Sequence, residues 1–342
     1  MSVEHMEHSS SVLALAGALL LAGAGDSRLK NVASGGFAER SAAAAWSRPL
    51  QAVPLQTTEQ TPSRPVLAKE GPAARFVVAP ESGRFSLLTY NVAGLPQLVS
   101  GSDPEVNVGL ISPLLNHYDV ALVQEDFSYH SRLSRRALHA YRSEPMHQSL
   151  ALMPDGLNWF SRFSFGWIHR VRWGQCNGYL GAASDCLADK GFSFSEVTLA
   201  PGITVDVYNL HAEAGGTPPD IEVRRQNFEQ LADYVRSRSR DRAIIVAGDT
   251  NLRMSVPRDM ETLDRFLHAT GLRDACRHFG CGEERLDRVF FGSSRQVNVD
   301  VLGWWTDRRF VDIEGSPLSD HPAVGVELAW RKLSEPEFVA GR

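Results

Sequence analysis

Short runs rich in β-branched and aromatic residues recur between residues 85 and 328, and they restrict the folds that this chain can adopt. Several runs are apolar throughout, which is typical of strands covered on both faces. Strands are predicted at 85–92, 119–124, 156–163, 192–199, 203–210, 243–249, 285–291, 297–305 and 323–328. Helices are predicted at 106–117, 220–239 and 257–270. Strands interleaved with a few helices predict a layered α/β sandwich.

The composition changes along the chain and indicates one folded domain. Residues 25–80 are rich in Ala, Ser, Pro, Gln and Thr without a sustained apolar period, which predicts a flexible spacer. Residues 81–331 hold all the predicted strands and helices, and 332–342 form a tail. With 43% hydrophobic residues, the chain can bury a sizeable core.

The N-terminal segment has the features of an export signal. The apolar run "SVLALAGALLLAGAG" at 11–25 contains a small-x-small cleavage site, so residues 1–24 are predicted to be a signal peptide. No positive charge precedes the run, which leaves an uncleaved anchor as the alternative. We therefore expect a secreted or periplasmic protein. Its net charge of −5, which is −3 without the two glutamates of residues 1–24, gives no general attraction for nucleic acid.

The four cysteines fall into two close pairs, Cys176 with Cys186 and Cys276 with Cys281. An even number of cysteines in an exported chain predicts disulfides. Four cysteines allow three connectivities, of which the local pairing is favoured. A metal site is the weaker alternative, because the spacings match no CxxC pairing and no histidine lies at ligand spacing.

The second predicted helix carries arginines that could either hold phosphates or form a solvated face. Phe228, Leu231 and Val235 recur at spacings of three and four, and the arginines fall mostly elsewhere, which favours the solvated face. The arginines are Arg224, Arg225, Arg236, Arg238 and Arg240.

Polar residues follow several predicted strands at the point where each strand ends. Taken alone, each could be a turn residue. Together they predict a site assembled at one edge of a sheet. The residues are Asn91, Gln124, Glu125, Asp126, His211, Asp249, Asn251, Asp320 and His321.

The donor atoms of this set favour a divalent ion and phosphate chemistry. Glu, Asp and Asn oxygens without a thiolate suit Mg²⁺, Mn²⁺ or Ca²⁺ better than Zn²⁺. Such an ion polarises phosphoryl oxygens, while His211 and His321 could supply a hydrogen-bond donor and a base. The chain has no GxSxG, HExxH or GxxxxGK[ST] motif. A glycosidase pair of Glu125 and Glu213 would leave the Asn and His residues without a role.

The stretch "PLSDHPAV" at 317–324 allows two interpretations. It could be a polar turn closed by Pro322 that leads into the last strand. Alternatively, Asp320 could orient the imidazole of His321 for proton transfer. The polar residues at the other strand ends favour the second interpretation.

Six motifs, taken in order, resemble those of the DNase I-like endonuclease/exonuclease/phosphatase superfamily. They extend from Thr89 to Val324 and read "TYNVAGLP", "DVALVQEDF", "NLHAEAG", "VAGDTN", "RLDRVFF" and "LSDHPAV". The resemblance implies a DNase I-like four-layer α/β sandwich with two central, mostly antiparallel sheets. It also implies a metal-dependent phosphodiesterase that uses water as the nucleophile in an in-line attack.

The resemblance further implies roles for individual residues. Glu125 would bind the catalytic Mg²⁺, with Asn91 helping to arrange the metal site. Asp249 and Asn251 would position water and phosphate, and His211 would stabilise the transition state.

In the same comparison, His321 would be the general base or its electrostatic equivalent. A carboxylate would hold its imidazole, and the motifs leave two candidates for this role, Asp320 and Asp287.

Within the superfamily, the segment "CNGYLGAASDCLADKGFSFSEV" is similar to the secreted neutral sphingomyelinase branch. This similarity implies a monomeric sphingomyelinase C-type enzyme that acts on a phospholipid head group, with peripheral membrane contact. Ala212, Glu213 and Thr250 depart from the branch pattern and affect the expected head-group specificity. Trp304 and Trp305 could contact lipid or pack in the core. A secreted nuclease and a non-catalytic binding protein on the same fold are the alternative functions.

Overall fold

The structure is a computed structural model that describes residues 80–334 except 98, 99, 101, 148, 150, 180–184 and 282–284. The predicted leader 1–24, the spacer up to residue 79 and the tail from residue 335 onward lie outside the described residues. None of the helices in the described ranges is long and apolar enough to cross a membrane.

Every predicted strand and helix has a counterpart in the structure. The strands are β1 (Ser82–Asn91), β2 (Val120–Gln124), β3 (Tyr141–Arg142), β4 (Asn158–Ser161), β5 (Ser164–Phe165), β6 (His169–Arg172), β7 (Gly191–Ala200), β8 (Ile203–His211), β9 (Ile244–Asp249), β10 (Arg273–Asp274), β11 (Asp287–Gly292), β12 (Val297–Thr306) and β13 (Val324–Lys332). The helices are α1 (Pro104–Leu114), α2 (His130–Ser134), α3 (Pro218–Arg238), α4 (Pro257–Thr270) and α5 (Ala275–His278). Short 3₁₀ turns span Leu115–His117 and Asp185–Leu187.

The strands form two sheets. One has the order β12-β13-β1-β2-β4-β3, and the other has the order β10-β11-β9-β8-β7-β5, with β6 also paired to β7. Only β1 with β2 and β8 with β9 pair in parallel among the described strands, and all other pairs are antiparallel. The predicted α/β fold with two mostly antiparallel sheets is therefore confirmed.

Apolar side chains from both sheets pack against each other in the centre, including Leu122 of β2 and Ile245 of β9. A second cluster joins α3 and α4 to the outer face of one sheet, with Phe228 and Phe266 in contact at 5.2 Å between ring centroids. A third cluster packs α1 on the outer face of the other sheet. Each fully buried large apolar side chain contributes about 1.5–3 kcal/mol. The result is four layers, with a helical layer outside each sheet.

The prediction of a solvated arginine face on α3 is wrong at Arg224. Arg236, Arg238 and Arg240 are exposed, and Arg225 is partly exposed. The side chain of Arg224 is fully buried and pairs with Asp259 of α4. A charged side chain this deeply buried requires a charged partner and several hydrogen bonds.

Both local cysteine pairs are bonded in the structure. The Cα atoms of Cys176 and Cys186 are 5.3 Å apart, and those of Cys276 and Cys281 are 5.2 Å apart. Disulfides of this kind restrict the unfolded chain. The first of them fixes the start of the segment that leads to β7.

The two neighbouring tryptophans of β12 are half-buried and pack against different core clusters. Trp304 contacts the central cluster. Trp305 stacks on Tyr118, and its Nε1–H donates to the Tyr118 hydroxyl at 3.2 Å. Of the two roles predicted for this pair, the packing role is the one that these contacts favour.

Candidate active site

The polar residues at the strand ends come together at one edge of the two sheets. In the parallel pair β1 and β2, Asn91 lies opposite Gln124, so Glu125 follows directly beside it. In the parallel pair β8 and β9, His211 lies opposite Asp249. Carboxyl ends of parallel strands share an edge, which explains why residues far apart in sequence meet here.

Antiparallel strands bring the remaining residues to the same edge. Asp287 begins β11 and lies opposite Asp249 of β9. His321 precedes β13, which runs antiparallel to β1 and so starts near the end of that strand. The Ser319 hydroxyl donates to the carbonyl of Asn91 at 2.7 Å and accepts the His321 amide at 3.2 Å, which holds this loop in place.

Asn91 joins the two carboxylates at the centre of the site. Its Nδ2 donates to Glu125 Oε1 at 3.0 Å and to Asp249 Oδ2 at 3.1 Å. Its Oδ1 accepts the Ala93 amide at 3.0 Å. The Asn91 side chain therefore links both carboxylates, and its role in arranging a metal site stays a prediction.

Two site residues have backbone angles that L-amino acids rarely adopt. Glu125 has φ of 56° and Asn251 has φ of 50°. Such angles cost of order 1–3 kcal/mol each and persist only where surrounding contacts enforce them. The two strained backbone conformations therefore lower the stability of the fold and set the directions of these two side chains, as is common at functional sites.

His321 is oriented by Asp287. Its Nδ1–H donates to Asp287 Oδ2 at 2.8 Å, and its Nε2 lies 3.7 Å from Asp249 Oδ2. Burial opposes the charged imidazole, but the carboxylates of Asp287, Asp249 and Asp320 outweigh it and hold the pKa of His321 well above 6.5. Burial, with repulsion from Asp249 and Asp320, in turn raises the pKa of Asp287 to about 6.

Asp320 has a different position. Its side chain is exposed, and its Oδ1 lies 3.3 Å from the Ser319 hydroxyl. It lies beside the imidazole as a charge, whereas Asp287 makes the hydrogen bond. The question that the motifs left open is answered in favour of Asp287.

His211 lies on the other side of Asp249. Its Nε2 is 3.3 Å from Asp249 Oδ2 and 3.9 Å from Glu125 Oε1. Burial lowers the pKa of His211 well below 6.5, and the positive charges of Lys190 and His321 lower it further. A neutral imidazole with Nε2–H facing the site can donate a hydrogen bond without carrying charge.

Asn251 completes the arrangement around Asp249. Its amide N–H donates to Asp249 Oδ1 at 3.0 Å, and its Nδ2 donates to the carbonyl of Ala212 at 3.1 Å. Both carboxylate oxygens of Asp249 therefore accept hydrogen bonds, Oδ1 from the Asn251 amide and Oδ2 from Asn91 Nδ2. Asp126, in contrast, turns away from this group and contacts the His130 ring.

Sequence reasoning did not assign Lys190 a role in the site. Lys190 is almost completely buried, pairs with Asp185, and lowers the pKa of Glu125, which burial raises. Attraction to Asp185, Glu125 and Asp249 outweighs the burial of Lys190 and raises its pKa. In the sequence, Lys190 next to Gly191 has no feature that indicates a role in the site, apart from the family resemblance of the segment.

Two buried amides, Gln124 and Asn209, lie behind the site; Gln124 belongs to the predicted strand-end set, whereas Asn209 was not identified from the sequence. Gln124 Nε2 donates to Asn209 Oδ1 at 2.7 Å, and Asn209 Nδ2 donates to the carbonyl of Val123 at 2.9 Å. These bonds connect the two sheets one or two residues before Glu125 and His211. An Asn inside the apolar run "VDVYNL" is a signal that could have indicated this contact.

Glu213 does not form a catalytic pair with Glu125. Its Oε1 accepts the Asn177 amide at 2.9 Å, and burial together with the nearby charge of Asp185 raises its pKa to about 8. Thr250, the other departure from the family pattern, is buried and donates its hydroxyl to the carbonyl of Leu286. Both residues support the loops around the site.

The site fits a divalent cation by its donor set. Atoms of Asp249, Asp287 and His321 lie within 4.8 Å of one another and could reach an ion. Glu125 Oε1 adds a further carboxylate oxygen beside Asp249, since Asn91 Nδ2 donates to both side chains. Two carboxylates converging on one amide, with no thiolate nearby, suit Mg²⁺.

Comparison with known proteins gives one family match. Residues 88–321 match the endonuclease/exonuclease/phosphatase family. Over 268 residues the chain is 37% identical to a sphingomyelinase of Mycobacterium bovis, an alignment that covers 71% of this chain and 52% of that protein. The chain therefore spans about half the length of this relative.

Solved structures show the same fold at low sequence identity. Sphingomyelinase C from Streptomyces griseocarneus superposes with a TM-score of 0.54 at 17% identity, covering 72% of this chain and 99% of that one. A beta toxin variant from Staphylococcus aureus, with bound magnesium ions, gives 0.53 at 15% identity, covering 71% and 99%. At these low sequence identities, the similarity concerns the fold alone.

Proposed function

The chain belongs to the endonuclease/exonuclease/phosphatase family, and from this premise we propose that it is a Mg²⁺-dependent phosphodiesterase of sphingomyelinase C type. The observation that carries the proposal is the convergence of Glu125, Asp249 and two imidazoles at one edge of the sheets. The 37% identity to a sphingomyelinase supports the choice of a phospholipid substrate.

In this proposal, Glu125 and Asp249 hold the Mg²⁺ ion. When bound, the ion supplies positive charge that polarises a phosphoryl oxygen and stabilises the leaving oxygen. Asn91 keeps the two carboxylates in place, since it donates a hydrogen bond to each.

The two histidines divide the remaining tasks. His211 is neutral and donates a hydrogen bond from Nε2 to the phosphate, where negative charge grows during the reaction. Asp287 holds His321 by Nδ1, so Nε2 is the atom that faces the substrate. In its charged form the His321 ring stabilises the phosphate, and in its neutral form it takes the proton of the attacking water.

Exposed apolar side chains in loops around the site support a lipid surface as the source of the substrate. Ile313 is 95% exposed in the loop that leads to His321, and Tyr179 is 64% exposed two residues after Asn177. Met254, three residues after Asn251, is 43% exposed, and Leu152, next to the Met153–Ala188 bridge, is 52% exposed. We propose that this apolar rim contacts the bilayer, because such side chains favour an interface over water.

Export and a monomeric state are part of the same proposal. The apolar run at 11–25 supports removal of residues 1–24 on export. Sequencing of the mature N-terminus and the mass of the protein in solution test these two points. A mature chain that keeps residues 1–24, or a stable dimer, would contradict them.

A substrate panel tests the activity. The full chain is incubated with sphingomyelin, phosphatidylcholine, inositol phosphate and DNA, each with Mg²⁺ and with EDTA. We expect hydrolysis of sphingomyelin that EDTA abolishes and that Glu125→Ala or His321→Ala removes without unfolding the protein. DNA cleavage with no lipid hydrolysis would instead favour the nuclease, and hydrolysis of no substrate would favour the binding protein.

A variant pair tests the lipid surface separately. Ile313→Asp should slow hydrolysis of sphingomyelin in vesicles while leaving that of soluble bis(4-nitrophenyl) phosphate unchanged. Leu138→Asp is the matched control, because Leu138 is equally apolar and 82% exposed, and its amide donates to Asn116, before β2 and away from the site. Equal effects of the two variants on vesicle hydrolysis would refute the proposed rim.

A further inference from the structure

Arg224 and Asp259 form a buried ion pair next to two loops of the site. Both side chains are fully buried, Arg224 on α3 and Asp259 on α4. Arg224 Nε donates to Asp259 Oδ1 at 2.9 Å, and Nη2 donates to Oδ2 at 3.0 Å. This paired geometry fixes the plane of the guanidinium.

The third nitrogen of Arg224 holds the chain that follows His211. Arg224 Nη1 donates to the carbonyls of Glu213, Ala214 and Gly215 at 2.9, 3.2 and 3.2 Å. Three consecutive carbonyls thus converge on one buried cation. The path of the chain two residues beyond His211 is fixed by this contact.

Asp259 holds the chain that follows Asn251. Its Oδ2 accepts the amide of Arg253 at 3.1 Å. The segment from Asp249 to Arg253 includes Asn251, whose φ of 50° needs support from its surroundings. One carboxylate therefore binds both the guanidinium and the second loop.

The two loops also contact each other directly. The Ala212 amide donates to the carbonyl of Asp249 at 2.9 Å, and Asn251 Nδ2 donates to the carbonyl of Ala212. The loop after His211 and the loop after Asp249 are therefore held both by these direct hydrogen bonds and by the Arg224–Asp259 ion pair. The distance between His211 and Asp249 depends on this arrangement.

We propose that Arg224 and Asp259 are positioning residues, which keep His211, Asp249 and Asn251 at their working distances. The inference rests on the proposed function, because it assigns these two residues to that reaction. The competing explanation is that the pair only fastens α3 to α4. A fastening role would change stability and leave the turnover of folded molecules intact.

Arg224→Lys is the first test. Lysine keeps the charge but has no planar fork, so it cannot bind Asp259 by two bonds and reach three carbonyls together. We expect kcat on sphingomyelin to fall about tenfold to a hundredfold, with KM changed by less than about twofold, at a temperature where circular dichroism shows a folded protein. Arg225→Lys is the matched control, since Arg225 pairs with Glu222 and Glu229 at the surface of the same helix.

The double variant Arg224→Met with Asp259→Leu separates a role in positioning the site loops from a role in stabilising the fold. It removes both charges, so no buried charge is left without a partner and the fold should survive. The carbonyls of residues 213–215 and the Arg253 amide still lose their contacts. We therefore expect kcat to stay low, and a double variant with wild-type kcat would overturn the inference.

Amide hydrogen exchange decides the inference even if the proposed function fails. In Arg224→Lys, amides of residues 212–216 and 251–253 should exchange faster, while those in the middle of β8 stay protected. Unchanged exchange in both loops would overturn the positioning role. Absence of sphingomyelin hydrolysis by the wild-type chain, with faster loop exchange in the variant, would contradict only the proposed function.

Discussion

Replacing Asp287 by Asn tests how His321 is oriented. The two side chains have nearly the same shape, and Asp287 is buried, so the substitution changes charge and hydrogen bonding with little change in packing. The 2.8 Å bond from His321 Nδ1–H needs an acceptor at Asp287 Oδ2. An amide can present a donor there, which favours the other tautomer and moves the ring proton to Nε2.

The expected loss follows from the role of the ring. A positioned proton-transfer group contributes about 10²–10⁴-fold to the rate. Asp287→Asn should therefore lower kcat by about this factor, which corresponds to about 2.7–5.4 kcal/mol in the activation barrier. Loss of the carboxylate charge should also lower the pKa of His321, because Asp287 is the largest of the charges that raise it.

Two assays follow the change. Turnover of sphingomyelin is measured across a pH series, and ¹⁵N spectra of the imidazole report the tautomer and pKa of His321 in the metal-free protein. Asp320→Asn is the comparison variant, since Asp320 acts on the ring by charge alone. It should keep the tautomer and lower the pKa of His321 less.

An unchanged tautomer in Asp287→Asn, with kcat within about twofold of the wild type, would refute this assignment of Asp287. A tautomer change in Asp320→Asn alone would transfer the role to Asp320.

Three further predictions concern the metal site and the interior. Glu125→Gln should weaken Mg²⁺ binding in calorimetry without lowering the melting temperature of the metal-free protein, because burial of this carboxylate raises its pKa and its charge is costly there; equal Mg²⁺ affinity would exclude Glu125 as a ligand. Lys190→Met should cost about 1–3 kcal/mol in urea unfolding, because the largely buried Asp185 carboxylate loses its charged partner and keeps the Ala214 amide; an unchanged midpoint would contradict this. Burial lowers the pKa of His139, whose Nε2–H donates to the Tyr118 carbonyl. As pH falls, the His139 imidazole therefore becomes protonated in the unfolded chain at a higher pH than in the folded protein. Its contribution to stability is complete above pH 6.5 and is lost as pH falls toward the lower folded pKa, and His139→Gln should flatten this part of the stability profile; an equally steep profile in the variant would contradict it.

The sequence predicted the long strands and helices because each repeats its pattern over enough residues. Strands β3, β5, β6 and β10 were not predicted, since two to four residues are too few to show an alternation. Their pairing is set by neighbouring strands that the sequence did predict, β4, β7 and β11.

The site was predicted in outline because its residues follow strands. The choice between Asp287 and Asp320 required tertiary structure, because the register that places Asp287 opposite Asp249 is not visible in the sequence. Arg224 was misassigned for a similar reason. Its partner Asp259 lies on another helix, and charged helix residues usually face solvent.

Hydrolysis of sphingomyelin in ¹⁸O-labelled water, with Mg²⁺ present, tests the central claim most directly. If water attacks phosphorus in a site formed by Glu125, Asp249, His211 and His321, the label enters phosphorylcholine and the ceramide carries none. Label in the ceramide, or no release of phosphorylcholine by the folded, Mg²⁺-supplied protein, would contradict a sphingomyelinase C-type reaction.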